Sequence, residues 1–428
     1  MAWRRVVLMS IAATLAALVV AAVVALNLRG EAPLPATTEE VPATAAQVAR
    51  GAYLARVGSC AGCHTARGGA AYAGGRGIET PFGKVFAGNL TPDVATGLGA
   101  WSSADFWRAL HHGRSRDGRL LYPAFPYPNY TQVTREDSDA LYAYLRSLPA
   151  VAQPRTPHAL RFPFSTQAAL AVWRALYFRP GQPPEDLSRS AEWNRGAYLV
   201  QGLGHCTACH TPRNALGAER KAQALGGGTV AGQGWYAPAL DMPAEAGVAQ
   251  WSLQDVVALL QTGVAPQGSV TGPMAEVVFR STQHLTPTDA RAIAVYLQAL
   301  PQRSAPAVVA EPPAAAAALA RGAKVYEQHC AQCHGDQGQG VPGAIAALAG
   351  NRAVLQADTT NLLRVVLQGG YLPATAGNPR PHGMPPFRQV LGDEDVAAVL
   401  SFVRNAWGNQ APGVGTIDAY RAREARNP

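Results

Sequence analysis

Cys60, Cys63 and His64 form the pattern Cys-x-x-Cys-His, and it recurs at Cys206/Cys209/His210 and Cys330/Cys333/His334. The three copies use all six cysteines of the chain. On a helical turn, residues i, i+3 and i+4 share one face. Two thiols and an imidazole on one face suit a flat macrocycle: the thiols add to vinyl groups and the imidazole ligates an iron. This is the attachment pattern of c-type haem. The sequence therefore predicts three covalent haems c, with His64, His210 and His334 as proximal iron ligands.

Other chemistries use the same residue types. A zinc site wants four ligands grouped together, commonly two CxxC units close in sequence. Here the units are more than a hundred residues apart, and each carries its own His. A redox dithiol would follow a strand and needs no His. Three disulfides closed within CxxC would be strained and would leave the histidines unexplained.

A haem iron with a proximal His often takes a Met sulfur opposite, which raises its potential. Of the five methionines, Met1 and Met9 lie in an N-terminal apolar segment. Met384, in Met384-Pro385-Pro386-Phe387, is the distal candidate for the third haem. Met274, after Gly272-Pro273, occupies the matching place for the second haem, whereas Met242 falls too early in the repeat. The first loop reads Tyr122-Pro123-Ala124-Phe125-Pro126, with Phe125 where Met would stand. Phe cannot ligate iron. The first haem is then either open on its distal side or bound by another residue. The local candidates are His111 and His112, with His158 beyond them. The missing thioether predicts a distinctly lower potential for this haem. His205 and His329 precede the first Cys of their motifs and cannot reach across to the distal side of their own haems; exposed or propionate-contacting roles are expected for them. Arg76, Trp101, Trp235 and Trp251 are candidates for haem-face or propionate contacts.

The elements that must hold these residues repeat three times. Arg50-Gly51-Ala52-Tyr53-Leu54, Arg195-Gly196-Ala197-Tyr198-Leu199 and Arg321-Gly322-Ala323-Lys324-Val325 each lead into a motif. A middle helix follows, opened by Ser102, Ser252 or Thr359 and closed by Gly113, Gly263 or Gly369. Each repeat ends in an amphipathic helix, over 135–148, 287–300 and 393–407, with Thr134, Thr286 and Gly392 at the N-caps. Its apolar stripe is expected to pack across the motif helix and support the haem cleft. No sustained strand alternation is present. The predicted fold is all-α: three tandem cytochrome c-like haem domains after an N-terminal membrane helix.

The boundaries follow from composition. Residues 1–30 form the anchor and 31–45 a Pro/Ala/Thr-rich tether. Haem domains cover 46–153, 191–303 and 317–410. A connecting segment spans 154–190, with a helix predicted over 166–178. A linker spans 304–316, and the tail 411–428 reads as irregular. Three domains suit 428 residues at roughly 150 each.

The run from Val6 to Leu26 is long enough to cross a bilayer, which takes ~20 residues. It is long for a cleaved signal and lacks a small-x-small site, so an uncleaved anchor is favoured. Arg4 and Arg5 before it place the following domains on the periplasmic side of the inner membrane. The net charge of +8 is spread over scattered arginines, with a short Arg421/Arg423/Arg426 tail. That pattern is a solvated surface with some capacity for partner or anionic-lipid contact, not a nucleic-acid footprint. No P-loop or glycine fingerprint after a strand is present, and Gly226-Gly227-Gly228 reads as a loop.

Taken together, the three motifs, the Arg-Gly-Ala-Tyr-Leu lead-ins, the stretch from Gly272 to Glu276 and the segments Met384–Phe387 and Trp407-Gly408-Asn409 resemble the triheme cytochrome c subunits of bacterial membrane-bound dehydrogenases. Those serve alcohol, aldehyde, gluconate or related dehydrogenases, and similar subunits accompany molybdenum hydroxylases of the nicotinate and isoquinoline type. The resemblance covers roughly 46–410. It implies an electron-transfer subunit without substrate chemistry of its own. Electrons would pass from a dehydrogenase catalytic subunit to ubiquinone or another carrier. The family pattern has Met in the first loop too, and this chain departs from it at Phe125. Two other readings compete: a peroxidase-like or sulfur-oxidising enzyme using an open site at the first haem, and a free-standing multihaem carrier.

Overall fold

The computed structural model describes residues 2–31, 42–304 and 315–425. Most of the predicted tether and linker, and Arg426 of the basic tail, lie outside the described residues. The chain divides into two compact units. Met1–Ala55 with Cys63–Pro184 make the first, and Arg56–Gly62 with Glu185–Pro428 make the second.

The first element is a helix over Ala2–Leu28, fully apolar from Val6 to Leu26 apart from Ser10 and Thr14. Its 27 residues would measure about 40 Å, more than the hydrocarbon thickness of a bilayer. Trp3–Leu28 passes as a membrane span by length and composition. Its last turn, and Glu31 just after it, are tied to the rest of the first unit. Asn27 Nδ2 donates to Ala171 O at 2.9 Å, Arg174 Nε donates to Asn27 Oδ1 at 2.9 Å, and Arg114 Nε meets Glu31 Oε2 at 2.9 Å.

The threefold repeat is realised as one packing arrangement built three times. A lead-in helix (Ala45–Val57, Ala191–Ala197 or Ala316–His329) crosses a terminal helix (Arg135–Arg146, Pro287–Gln298 or Asp393–Val403). The glycine of each lead-in sits at the crossing. A Cβ on Gly51, Gly196 or Gly322 would come within 1.9, 2.1 and 2.1 Å of Ala140 O, Ala292 O and Ala398 O. Cβ of Tyr144, Tyr296 or Phe402 would also lie 2.7 Å away in each case. Only a residue without a side chain lets the two backbones approach this closely. The arginine just before each glycine then reaches the first turn of the terminal helix. Arg50 pairs with Asp137, Arg195 holds Asp289 through two bonds of 2.8 Å, and Arg321 meets Asp395 at 2.8 Å. The carboxylates sit where a helix N-terminus favours negative charge. The Arg-Gly pair of each lead-in is thus a lock for the crossing.

The middle helices are Ser103–His112, Leu253–Thr262 and Thr360–Gln368. Ser102 and Asp105 form a reciprocal capping box, and Ser252 caps through Asp255 N. Gly113 and Gly263 close their helices in the left-handed conformation, at φ 58° and 77°. The predicted connecting helix is present over Gln167–Tyr177, capped by Thr166.

Three sequence expectations need correction. The fold is not purely helical: four small antiparallel sheets occur among the described residues. Their strands are two to five residues long, too short for alternation to be legible. Gly226-Gly227-Gly228 is not a loop but opens the strand Gly226–Val230, paired with Trp235–Ala239. The tail is not irregular: Thr416–Glu424 is a helix. It belongs to the third core, with Val414 and Ala419 buried beside Leu367, Val396, Leu400 and Val403. Buried Arg404 pulls the chain in by donating to the carbonyls of Pro412 and Gln356 at 2.8 Å, and Arg423 ties the helix back to Asp393.

Candidate haem-binding sites

Each CxxCH motif sits on a short helical turn: Cys60–His64, Thr207–His210 after Cys206, and Ala331–His334 after Cys330. The helical turn brings the two cysteines and the histidine of each copy to one face, as the spacing requires. All six thiols are free of disulfides.

The two thiols of a pair differ in exposure. The first cysteines, Cys60, Cys206 and Cys330, are half-buried, whereas the second, Cys63, Cys209 and Cys333, are exposed. In the third repeat the first cysteine follows directly on the lead-in helix, and in the second it follows a π-helical turn over Tyr198–Leu203. Cys206 N donates to Val200 O at 2.9 Å, and Cys330 N to Tyr326 O at 2.8 Å. Cys209 and Cys333 come three residues later, on the short helices Thr207–His210 and Ala331–His334. Their exposure leaves these thiols accessible from solvent. Burial pushes the Cys206 thiol up to about 12 and the Cys330 thiol up to about 11. A working dithiol needs the opposite shift, so these are poor redox thiols. Among the described residues, no three His, Cys, Asp or Glu side chains gather as a metal cluster of the zinc kind.

The proximal histidines share one feature that the sequence does not display. His64 Nδ1 lies 2.7 Å from Gly88 O, His210 Nδ1 2.7 Å from Pro238 O, and His334 Nδ1 3.0 Å from Ala346 O. A carbonyl only accepts, so each ring carries its proton on Nδ1 and leaves Nε2 with a free lone pair. Such a second partner fixes tautomer and orientation in iron-ligating histidines. Burial lowers the pKa of all three rings, partly offset by these same hydrogen bonds, which keeps the imidazoles neutral. Two of the small sheets supply the acceptors: Pro238 lies in the strand Trp235–Ala239, and Gly88 follows the strand Gly83–Phe86. Carbonyls 24, 28 and 12 residues downstream have no residue-type signature, so nothing in the sequence could have named them.

The residues therefore fit c-type haem by donor chemistry: paired thiols, one neutral imidazole, and a free Nε2 beside them. The distal candidates differ between repeats. Met384 lies in the strand Gly383–Met384, paired with Gly370–Tyr371, and packs on the same core cluster as Cys330. Met274 is half-buried on the helix Pro273–Arg280 and packs with Val270, Ala275, Val278 and Leu259. Met242 is 7% exposed, as a core methionine would be.

In the first repeat, Phe125 packs with the rings of Tyr127 and Tyr130, at 6.4 and 5.4 Å between centroids. His111 and His112 end the helix Ser103–His112. His111 stacks on Trp107 at 4.3 Å, and the two imidazoles meet edge to face at 4.8 Å. Burial lowers both to about 4; His112 repels a proton from His111, and Arg174, Arg114 and Arg108 act on His112. His158 is committed elsewhere, since its Nδ1 accepts from Phe86 N at 3.1 Å.

Of the remaining candidates, His205 is part-buried, not exposed, with Nε2 3.3 Å from Gly58 O inside the second unit. Trp235 and Trp251 each lie under an arginine, Arg364 and Arg352, both at 5.1 Å. These are cation–π pairs that the sequence could not foresee, because the partners are about a hundred residues away or more. The indole N–H of Trp251 is buried without an acceptor, which suits a propionate-contacting role.

A cytochrome c family model matches residues 48–149 and 319–407. The cytochrome c subunit of a quinone alcohol dehydrogenase from Gluconacetobacter polyoxogenes is 38% identical over 405 residues, covering 90% of this chain and 86% of that protein. The cytochrome c subunit of gluconate 2-dehydrogenase from Pantoea cypripedii is 38% identical over 395 residues, covering 87% and 88%. One subunit of a nicotinate dehydrogenase from Pseudomonas putida is 41% identical over 396 residues. That match covers 90% of this chain but 32% of that protein, so the chain spans about a third of that relative's length. The relatives of similar size are electron-transfer partners of dehydrogenases and not the catalytic enzymes. With the haem-attaching motifs in the same chain, the conclusion is that it belongs to the cytochrome c subunits of bacterial dehydrogenases.

Proposed function

We propose that the chain is a three-haem electron relay, anchored in the inner membrane with its haem domains, 46–153, 191–303 and 317–410, in the periplasm. It would take electrons from a dehydrogenase catalytic subunit and deliver them to ubiquinone or another carrier. The observation that carries this reading is the triple recurrence of CxxCH with a carbonyl-bound Nδ1 on each histidine. Cys60/Cys63, Cys206/Cys209 and Cys330/Cys333 would hold the porphyrins, and His64, His210 and His334 the irons. Bound haem supplies reversible one-electron exchange at iron. The protein's part is to fix the imidazoles through Gly88, Pro238 and Ala346, to present Met274 and Met384 as distal thioethers, and to keep water from most of each ring. The quinone in the name of the Gluconacetobacter relative supports quinone as acceptor. The helix Ala2–Leu28 supports membrane attachment.

Intact mass and haem-to-protein stoichiometry test the relay directly. Three covalent haems are expected. Two would remove one motif from the reading. Alanine replacement of each CxxCH cysteine pair should lower the count by one at a time. Co-purification of a large subunit is expected from the native host; a cytochrome that always purifies alone would favour the free-standing carrier.

A second reading stays with the first haem, because Phe125 stands in an aromatic cluster where the other repeats offer a thioether. An open iron there would bind carbon monoxide or cyanide rapidly at one haem in three. No binding would mean a protein ligand, His111, His112 or a residue from elsewhere, and close the enzymatic reading.

A further inference from the structure

The connecting helix Gln167–Tyr177 buries its one charge and leaves an apolar stripe exposed, while Leu170 and Ala175 pack inward. Its sequence, Gln-Ala-Ala-Leu-Ala-Val-Trp-Arg-Ala-Leu-Tyr, contains one charged residue, Arg174, and that residue is 3% exposed. The guanidinium lies 5.2 Å from the Tyr127 ring centroid and 4.8 Å from that of Phe178, and it donates to Asn27. The outward stripe is Ala168, Val172 and Leu176, at i, i+4 and i+8, all exposed. Val172 is 48% and Leu176 58% exposed; Phe162, in the turn before the helix, is 84% exposed. A helix facing water shows the reverse order.

Its attachment point says what covers it. Val23 and Asn27, one turn apart, are the half-buried residues of the last two turns of Ala2–Leu28. Asn27 directly follows the apolar run and bonds to Ala171 O in the middle of the connecting helix. The connecting helix is therefore held at the level where the N-terminal helix would leave the hydrocarbon. Trp173 and Tyr177 lie half-buried on its shoulders, the residue types that favour the headgroup level. Arg161 and Arg179, on either side of it in sequence, and Arg29, two residues after Asn27, are exposed, which suits anionic headgroups.

We propose that Gln167–Tyr177, with Phe162, is an interfacial helix whose Ala168–Val172–Leu176 stripe enters the headgroup–acyl boundary of the bilayer. This rests on the reading of Ala2–Leu28 as an uncleaved anchor. The first unit would then grip the membrane at two elements, one crossing it and one lying on it, and could not swivel freely about its anchor.

The test uses the full-length, haem-loaded chain reconstituted in phosphatidylethanolamine/phosphatidylglycerol vesicles. The six native cysteines would be thioether-linked, so a single added cysteine takes a nitroxide label. Val172→Cys and Leu176→Cys alter exposed side chains only, and the c-type absorption spectrum checks folding. Val94→Cys, at a 72% exposed position of the same unit, is the aqueous reference. The expected result is that labels at 172 and 176 collide several-fold more with dissolved oxygen, relative to a water-soluble nickel complex, than the label at 94. Equal accessibility to the nickel complex overturns the proposal. Protection from both reagents also overturns it, since that would mean a protein cover. Leu15→Cys reports on the anchor separately: a label lost with a cleaved segment, or open to the nickel complex, defeats the anchor reading whatever residues 172 and 176 show.

Discussion

The first and third CxxCH repeats are built on one scaffold and differ where a sixth ligand would come from. Both have the Arg-Gly lock, with Arg50 on Asp137 and Arg321 on Asp395. Both hold the CxxCH histidine by a backbone carbonyl, Gly88 or Ala346. In the third repeat the distal loop is a two-residue strand that carries Met384 onto the core shared with Cys330. In the first, the loop delivers Phe125 into a ring cluster with Tyr127 and Tyr130. The proximal half answers to packing and the distal half to chemistry. A repeat can keep the first while losing the second.

The largest expected effect is on the third iron. Met384→Ala should lower one of three potentials by a large fraction of the ~0.8 V range that axial ligands span, while Phe125→Ala leaves the potentials nearly unmoved. Redox titration followed optically measures both; a silent Met384→Ala would end the distal assignment. The converse, Phe125→Met, is expected to raise the lowest potential and to abolish any carbon monoxide binding at the first haem. If the potential stays put, the loop does not face the iron and the contrast between the repeats is of another kind.

The shared half is tested next. Gly51→Ala and Gly322→Ala place a methyl against the Ala140 and Ala398 carbonyls and should each cost about 1–3 kcal/mol or more, read by thermal or denaturant unfolding. Equal costs in the two repeats would support a common scaffold. A tolerated Gly51→Ala would break the equivalence. The smallest effect is acid sensitivity. His111 and His112 ionise near 4 in the folded chain and near 6.5 when unfolded. The unfolded chain therefore binds more protons between those values, and the first unit loses stability as pH falls from about 6.5 to 4. His112→Gln should flatten that slope. A change in the first haem's spectrum over the same window would identify an iron-bound histidine.

Much of this was legible in the sequence, for reasons that can be named. The CxxCH triplet is local, so its spacing alone specifies a shared helical face. The spacing does not distinguish Cys63, Cys209 and Cys333 from their half-buried partners, because exposure depends on what the rest of the chain packs against each thiol. Ser102, Thr134, Ser252 and Thr286 announce their helices because capping uses the residue's own side chain. Gly51, Gly196 and Gly322 were visible as repeats, but their purpose was not, since the partner backbone lies far along the chain. The carbonyls that hold the histidines were invisible because every residue has one. The short strands fell below the length at which alternation can be seen. The helix Thr416–Glu424 was missed because it has little amphipathic pattern; Ala419 is buried mainly because Arg404 and Arg423 draw the tail inward. The inverted polarity of Gln167–Tyr177 could not be read without knowing that Arg174 points to Asn27.

The repeated crossing has a consequence for how such a chain can change over time. Gly51, Gly196 and Gly322 lock their helices without using any residue from a distal loop. A ligand residue can therefore change without touching the crossing, and each repeat can do so independently. The result is a ladder with fixed rails and replaceable rungs. A lineage confronted with a new electron donor or acceptor could reset one rung, Met to Phe or back, and leave the other two at their old height.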